Sequence, residues 1–282
     1  MNTTITIRDL LQEGQGLLSA LDSARLDAEL LLCNLMNMDR SKLYSSPDTG
    51  IPLEKALEYK NLVNKRSNGE PLAYITGKKE FWSLDLLVNQ YTLIPRPETE
   101  CLVETALSEI ALDSEMAIAD LGTGSGAIAI ALAMERPHCN ITATDICEHA
   151  IEVAQINANH HGAGNINIIR SNWFENLQGR FDLIVSNPPY IKNGDKHLAE
   201  DGVAYEPGLA LCGGEDGMEA IEIIINNAPE HLNTGAWLMI EHGYDQAETV
   251  RSIFKQCNFS EINTHCDHAG IERVTSASYQ HE

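Results

Sequence analysis

Apolar residues recur at helical spacing early in the chain and at strand spacing, or in unbroken runs, through most of its remaining length. Between Ile7 and about Asn68, Leu26, Leu30, Leu31 and Leu35 lie on one helical face after a Ser23 cap. Pro52 opens another helix through Leu53, Ala56, Leu57 and Val63, as proline does at a first turn. This spacing predicts a small helical bundle, residues 1–70, that holds nothing resembling chemistry. Over residues 71–95 the alternation of Phe81, Trp82, Leu84, Leu86 and Val88, then Asn89-Gln90 and a second run from Tyr91 to Ile94, predicts a β-hairpin connector. Pro95-Arg96-Pro97-Glu98-Thr99-Glu100 is a stiff entry to a helix reaching about Ile110, with Arg96 placed either to meet a carboxylate or to cap its neighbours.

From there, residues 96–282 repeat strand, loop and helix. Met116 to Asp120 reads as a strand, Leu121-Gly122-Thr123-Gly124-Ser125-Gly126 as a glycine-rich turn, and Ala127 to Met134 as a helix. Later apolar runs bring the expected sheet to about seven strands, an α/β architecture. The alternate glycines let a ligand lie against the turn at a helix N-terminus. The strand Ile141 to Thr144 ends in Asp145, where a carboxylate can accept hydrogen bonds from a ribose diol or cap the helix after Cys147. The turn lacks the Gly-Lys-Ser/Thr of a phosphate loop and the spacing of a dinucleotide fingerprint, so a nucleoside without a pyrophosphate suits it better. Trp173, just past a strand end, is placed either to pack on an adenine ring or to fill the core.

The run Phe181 to Ser186 ends abruptly in Asn187-Pro188-Pro189-Tyr190. Prolines cannot continue a ladder, so the chain must leave the sheet at Asn187, at the strand's carboxyl end where open α/β sheets bind ligands. Asn187 offers an acceptor and a donor, Pro188 a carbonyl and Tyr190 a flat face. Such a set can grip a planar group bearing an NH2 and turn its nitrogen toward a reagent; it can also be a proline-rich turn alone. The irregular insert 191–214 after it, with Glu206-Pro207 inside, is of a kind that often forms lids.

Charge and cysteine usage narrow the partners. The net charge of −22, from 19 Lys+Arg against 41 Asp+Glu, argues against a primary grip on nucleic-acid phosphates. Seven scattered cysteines without a Cys-x-x-Cys pair point to reduced thiols in a cytoplasmic setting. Met1 to Leu11 lacks the pattern of an export signal, and no apolar run reaches a membrane span. His265-Cys266-Asp267-His268 cannot converge on one ion, because neighbouring strand side chains face opposite sides, so it reads as a surface turn and no metal is expected.

Taken together, Ile94 to Glu100, Asp120 to Gly126, Trp173-Phe174, Ser186 to Tyr190, Glu206-Pro207 and Glu241-His242-Gly243 resemble the release-factor glutamine methyltransferases over nearly the whole chain. The resemblance implies a class I methyltransferase fold of Rossmann-like type, S-adenosylmethionine as cofactor, and N5-methylation of the glutamine in the Gly-Gly-Gln motif of class I peptide chain release factors. It places Gly122, Thr123, Gly124, Ser125, Gly126, Asp145, Trp173 and Asn187 on the cofactor. Asn187, Pro188, Pro189 and Tyr190 fall on the substrate glutamine, with Asn187, Pro188 and Tyr190 catalytic. The helical bundle becomes a substrate-recognition domain of an enzyme expected to be monomeric. Related enzymes that methylate a ribosomal-protein glutamine share Asn-Pro-Pro-Tyr but carry a Pro-Arg-Ser stretch where this chain has Pro95 to Glu100. Nucleic-acid adenine methyltransferases use the same four residues on a flipped base, yet this chain lacks a basic, aromatic-rich recognition segment.

Overall fold

A sheet whose inner strands must be apolar on both faces organises the larger part of the protein. The computed structural model describes residues 5–200 and 202–280. The chain divides into two compact units, one running to Gly77 and including Glu200–Tyr205, the other formed by Lys78–Ala199 and the chain from Glu206 onward.

The first unit is helical, with helices Ile7–Leu17, Ala24–Met36, Arg40–Ser45, Leu53–Ser67 and Leu72–Thr76. Thr6 and Asp9 close a capping box at the first helix, each side chain accepting the other's backbone N–H. Leu10, Leu31, Leu32, Ala56, Tyr59 and Val63 form the core. The expected faces shift accordingly: Leu26, Leu53 and Leu57 are 43%, 66% and 58% exposed. In the second helix Asp27 and Ala28 turn inward instead, because Asp27 finds Arg66 at 2.7 Å and so is buried as a paired charge. Ser23 is no cap through its side chain, which donates to Asp27 Oδ2 at 3.0 Å.

The second unit opens on a two-stranded hairpin, β1 (Lys78–Phe81) and β2 (Leu84–Leu87). Its turn lies at Trp82-Ser83 rather than Asn89-Gln90, and Tyr91 to Ile94 is irregular, forming no strand. Trp82 and Ser83 hold φ of 52° and 58° without glycine or asparagine. Carboxylates compensate, since Glu100 Oε1 accepts from the Trp82 N–H at 2.9 Å and Glu80 Oε1 from the Ser83 N–H at 2.8 Å. The buried Asn157 bonds both backbone groups of Leu87, anchoring the hairpin to the helix Glu148–His161.

The main sheet comprises β3 (Ala117–Leu121), β4 (Asn140–Asp145), β5 (Ile166–Arg170), β6 (Phe181–Ser186), β7 (Leu232–Glu241), β8 (Phe259–Cys266) and β9 (Glu272–Tyr279), in the order β5-β4-β3-β6-β7-β9-β8. The first five are parallel and β9 runs antiparallel to both its neighbours. Alternation divides the core: Ile118, Leu183 and Val185 pack on one face under the helices Glu100–Glu109 and Ala127–Glu135, while Ala119, Leu121 and Ile184 pack on the other against Glu219–Asn227 and Ala247–Gln256. Each such fully buried aliphatic side chain contributes roughly 1.5–3 kcal/mol. Strand order reverses between β3 and β6, so the crevice at their carboxyl ends is the place where this architecture binds ligands. At the opposite margin, Asp267 organises the β8–β9 turn, accepting from the Ala269 and Ile271 N–H groups and from Arg273; the expected surface turn over His265 to His268 is only partly one, because His265 and Cys266 pair with β9 as the end of β8 and Asp267 is buried.

Candidate active site

A cavity of about 410 Å³ opens at the carboxyl ends of β3, β4 and β6. Its floor is the glycine turn, where the N–H groups of Gly122 and Thr123 both donate to the Thr144 carbonyl, at 2.9 and 2.8 Å. That pins the turn to the end of β4. Asp145 then bridges two loops, its Oδ2 accepting from the Gly124 N–H and its Oδ1 from the Cys147 N–H, each at 2.9 Å. It therefore fixes the helix entry, one of the two roles open in the sequence, and it also lines the cavity. Burial pushes its carboxyl above the ordinary range against those amide bonds.

Trp173 holds a left-handed backbone, φ 50°, and its ring packs beside Gly122. At Gly122 φ is +76°, which is what calls for glycine, and a Cβ there would rest in ordinary contact with the indole at 3.4 Å. The indole also packs against the sheet core, so it lines the cavity and fills the core at once.

On the opposite wall, Asn187 Nδ2 donates to Thr99 Oγ1 at 3.1 Å. With the NH2 edge held by that hydroxyl, the carbonyl Oδ1 is the edge free to accept. Tyr190 donates to Glu241 Oε1 at 3.3 Å, and its carbonyl accepts from Gln246 Nε2 at 3.1 Å. Gly217 passes so close to this turn that a Cβ would lie 2.3 Å from the Tyr190 carbonyl oxygen. Arg96 meets a carboxylate, pairing with the buried Glu206, whose other oxygen accepts from the Ile94 N–H at 3.0 Å. The 206–213 stretch beyond it contributes Pro207, Leu209 and Ala210 to the cavity wall.

Of the residues expected from sequence, Gly122, Gly124, Asp145, Trp173, Asn187 and Pro189 line the cavity. The others support it from behind. Thr123 donates to Asp120 Oδ2 at 2.7 Å, the Ser125 carbonyl accepts from Asn157, Gly126 precedes the helix Ala127–Glu135, and Pro188 is buried. Thr99, Glu206 and Glu241 lie in stretches that carry the family resemblance but received no role from the sequence, because their partners lie far along the chain.

Burial strongly perturbs two carboxyls behind the cavity wall. Burial pushes Asp120 up to about 7, opposed chiefly by the Thr123 hydroxyl, and Glu241 up to about 7, opposed by Thr99, Tyr190 and Arg273. Asp120 Oδ1 and Glu241 Oε2 are buried without a hydrogen-bond partner. Among the described residues no group of three or more His, Cys, Asp or Glu is placed to hold a metal.

Two family models match the chain, the PrmC N-terminal domain over residues 9–77 and the methyltransferase small domain over residues 98–204. The release factor glutamine methyltransferase of Salmonella typhimurium is 44% identical over 270 residues, 95% of this chain and 97% of that protein. That of Pseudomonas aeruginosa is 47% identical over 271 residues, 96% and 97% of the two. A methyltransferase from Pyrococcus furiosus superposes with a TM-score of 0.55 at 18% identity, covering 79% of this chain and 100% of that one, a likeness of fold.

Proposed function

Because this chain belongs to the release factor glutamine methyltransferase family, we propose that its cavity orients the glutamine of a Gly-Gly-Gln motif, in a class I peptide chain release factor, for N5-methylation. The enzyme is an S-adenosylmethionine-dependent methyltransferase of release factors. The cavity suits that cofactor by its glycine floor, its Asp145 carboxylate at a strand end and its acidic surroundings, which favour a sulfonium charge. Gly122, Gly124, Asp145 and Trp173 would hold it, and when bound it supplies an electrophilic methyl group.

The chain's own residues then have one main task. An amide nitrogen is a poor nucleophile because its lone pair is delocalised, so rate comes from presenting it in an attack pose. The observation that carries this reading is the bond from Asn187 Nδ2 to Thr99, which leaves Oδ1 as an acceptor for the NH2 of the glutamine. The family resemblance assigns the Pro188 carbonyl as the second acceptor and Tyr190 as a flat wall, on the same turn as Asn187 and behind the present cavity lining. Accepting both amide hydrogens raises electron density on nitrogen and fixes its direction. Residues 1–70 are assigned to docking of the protein substrate, which their apolar exposures at Leu53 and Leu57 support. Seven unpaired cysteines support work in the reducing cytoplasm, and no described helix is long and apolar enough to cross a membrane.

The test is mass spectrometry of a purified release factor incubated with this protein and isotopically labelled cofactor. One labelled methyl on the Gly-Gly-Gln glutamine is expected; labelling elsewhere, or none, would refute the assignment.

A further inference from the structure

The turn that carries Asn187 cannot brace itself. Pro188 and Pro189 have no N–H to donate and a nearly fixed φ, so the direction of the turn is set by whatever holds its two ends. At one end Asn187 Nδ2 donates to Thr99 Oγ1 at 3.1 Å. At the other, the peptide plane joining Tyr190 to Ile191 is gripped on both edges: its N–H donates to the Leu211 carbonyl at 2.9 Å, and its carbonyl accepts from Gln246 Nε2 at 3.1 Å. Gln246, which no sequence motif singles out, is 6% exposed. Its Nε2 also donates to the Gly217 carbonyl at 3.2 Å, and its Oε1 accepts from the Gly243 N–H at 2.8 Å. A backbone N–H only donates and a backbone carbonyl only accepts, so these partners allow the amide a single orientation. The residue itself is fixed, because it stands directly before the helix Ala247–Gln256, whose Ala247, Val250 and Phe254 are buried in the core. Gly217 makes room for the arrangement: its φ is +81°, and a Cβ there would lie 2.9 Å from Gln246 Nε2.

We propose that Gln246 is a positioning residue for the methyl transfer: by holding the Tyr190–Ile191 peptide plane against a buried helix, it sets the angle at which the two-proline turn presents Asn187 to the cavity. This rests on the function proposed for that cavity, in which Asn187 orients the substrate amide. Gln246 does not line the cavity, so it acts through the backbone and touches neither cofactor nor substrate. Only Tyr190 and the two prolines separate the gripped plane from Asn187, and their locked φ angles pass a rotation of that plane along the chain instead of absorbing it. A misplacement of about 1 Å at a reacting group costs on the order of 10²-fold in rate, so a loosened plane is enough to be felt.

Two substitutions at Gln246 and one control test this. Gln246→Met keeps the volume and removes the bonds to Tyr190, Gly217 and Gly243. Gln246→Asn keeps the amide and a favourable residue for a helix start, but is one methylene too short to span Gly243 and Tyr190 together. The control, Phe254→Leu, loosens the same helix about two turns further on, where Phe254 packs edge-on against Phe259. Below their melting transitions, both Gln246 variants are expected to lower kcat on the order of 10- to 100-fold, on a Gly-Gly-Gln peptide as much as on intact release factor. The Kd for S-adenosylmethionine should stay within about twofold of the parent, and Phe254→Leu should lower the melting temperature while its kcat stays within about twofold. The proposal is overturned by near-normal kcat in Gln246→Asn, by a loss confined to intact factor, by cofactor affinity falling in step with kcat, or by an equal loss in Phe254→Leu. A second readout needs no turnover and covers a Gln246→Met that does not fold. In NMR of ¹⁵N-labelled Gln246→Asn the Asn187 side-chain NH2 signals should move and the Ile191 amide should exchange faster with solvent. Unmoved Asn187 signals, or a Gln246→Asn that also fails to fold, assign the residue to structure alone and overturn the proposal. A parent enzyme that fails to methylate release factor counts against the proposed function instead.

Discussion

Two buried glutamates, one in each unit, show how differently the same side chain can be used. Glu29, in the helical unit, receives Arg25 Nε at 2.9 Å, Arg40 Nε at 3.1 Å and the Tyr44 hydroxyl. Burial raises its carboxyl, but Tyr44, Arg40 and Arg25 outweigh it and hold the group below its ordinary range. Glu241, at the sheet's carboxyl edge, has hydroxyls for neighbours, and burial wins, pushing it up to about 7. Asp120 and Asp145 behave like Glu241, answered by a threonine hydroxyl and by backbone amides. Glu29, which holds helices together, is fully paired, whereas Asp120 and Glu241 behind the cavity each keep one oxygen without a partner. The second condition costs stability and belongs where chemistry is done.

The contrast predicts substitutions of opposite sign. Glu29→Ala strips three donors of a shared acceptor and should lower unfolding stability by about 3 kcal/mol, read from chemical denaturation. A loss of only a few tenths would erase the distinction. Asp145→Ala removes the acceptor that ties two loops across the cavity floor. It should weaken S-adenosylmethionine binding by roughly 1–3 kcal/mol in calorimetry, with unchanged affinity counting against the assignment.

Asp120→Asn sharpens the comparison from the other side. A carboxyl raised to about 7 keeps a proton in the native state that the unfolded chain releases, so its contribution to stability declines as pH rises from about 4 to about 7. The asparagine variant lacks that decline. Its stability relative to the parent should therefore improve between pH 4 and pH 8, on the order of 1–2 kcal/mol, given the moderate effective dielectric around buried groups. A pH-independent difference would mean that Asp120 is ionised throughout.

Much of the sheet was legible because its signals are local. The glycine turn, the apolar runs of β3 and β6 and the stop at Pro188-Pro189 each state their own structure. The hairpin turn was hidden because Trp82 and Ser83 lack turn chemistry and depend on Glu100, 18 positions away. Leu26, Leu53 and Leu57 fit a helical period yet face water, since spacing alone does not show which face meets a neighbour. At the site, Asn187 and Asp145 could be read from their place at strand ends. Thr99 could not, because it meets Asn187 from 88 positions away, nor could the pairing of Arg96 with Glu206 across 110. Such contacts are made by topology and become visible only once the strand order is known.

The account stands most directly on Asn187. On one preparation of Asn187→Ala, kcat on intact release factor, the Kd for S-adenosylmethionine and the melting temperature should be measured together. Turnover is predicted to fall on the order of 10²-fold or more, with cofactor affinity falling by less and the fold retained. A stable, cofactor-binding variant with near-normal turnover would contradict the claim that this amide holds the substrate glutamine for attack.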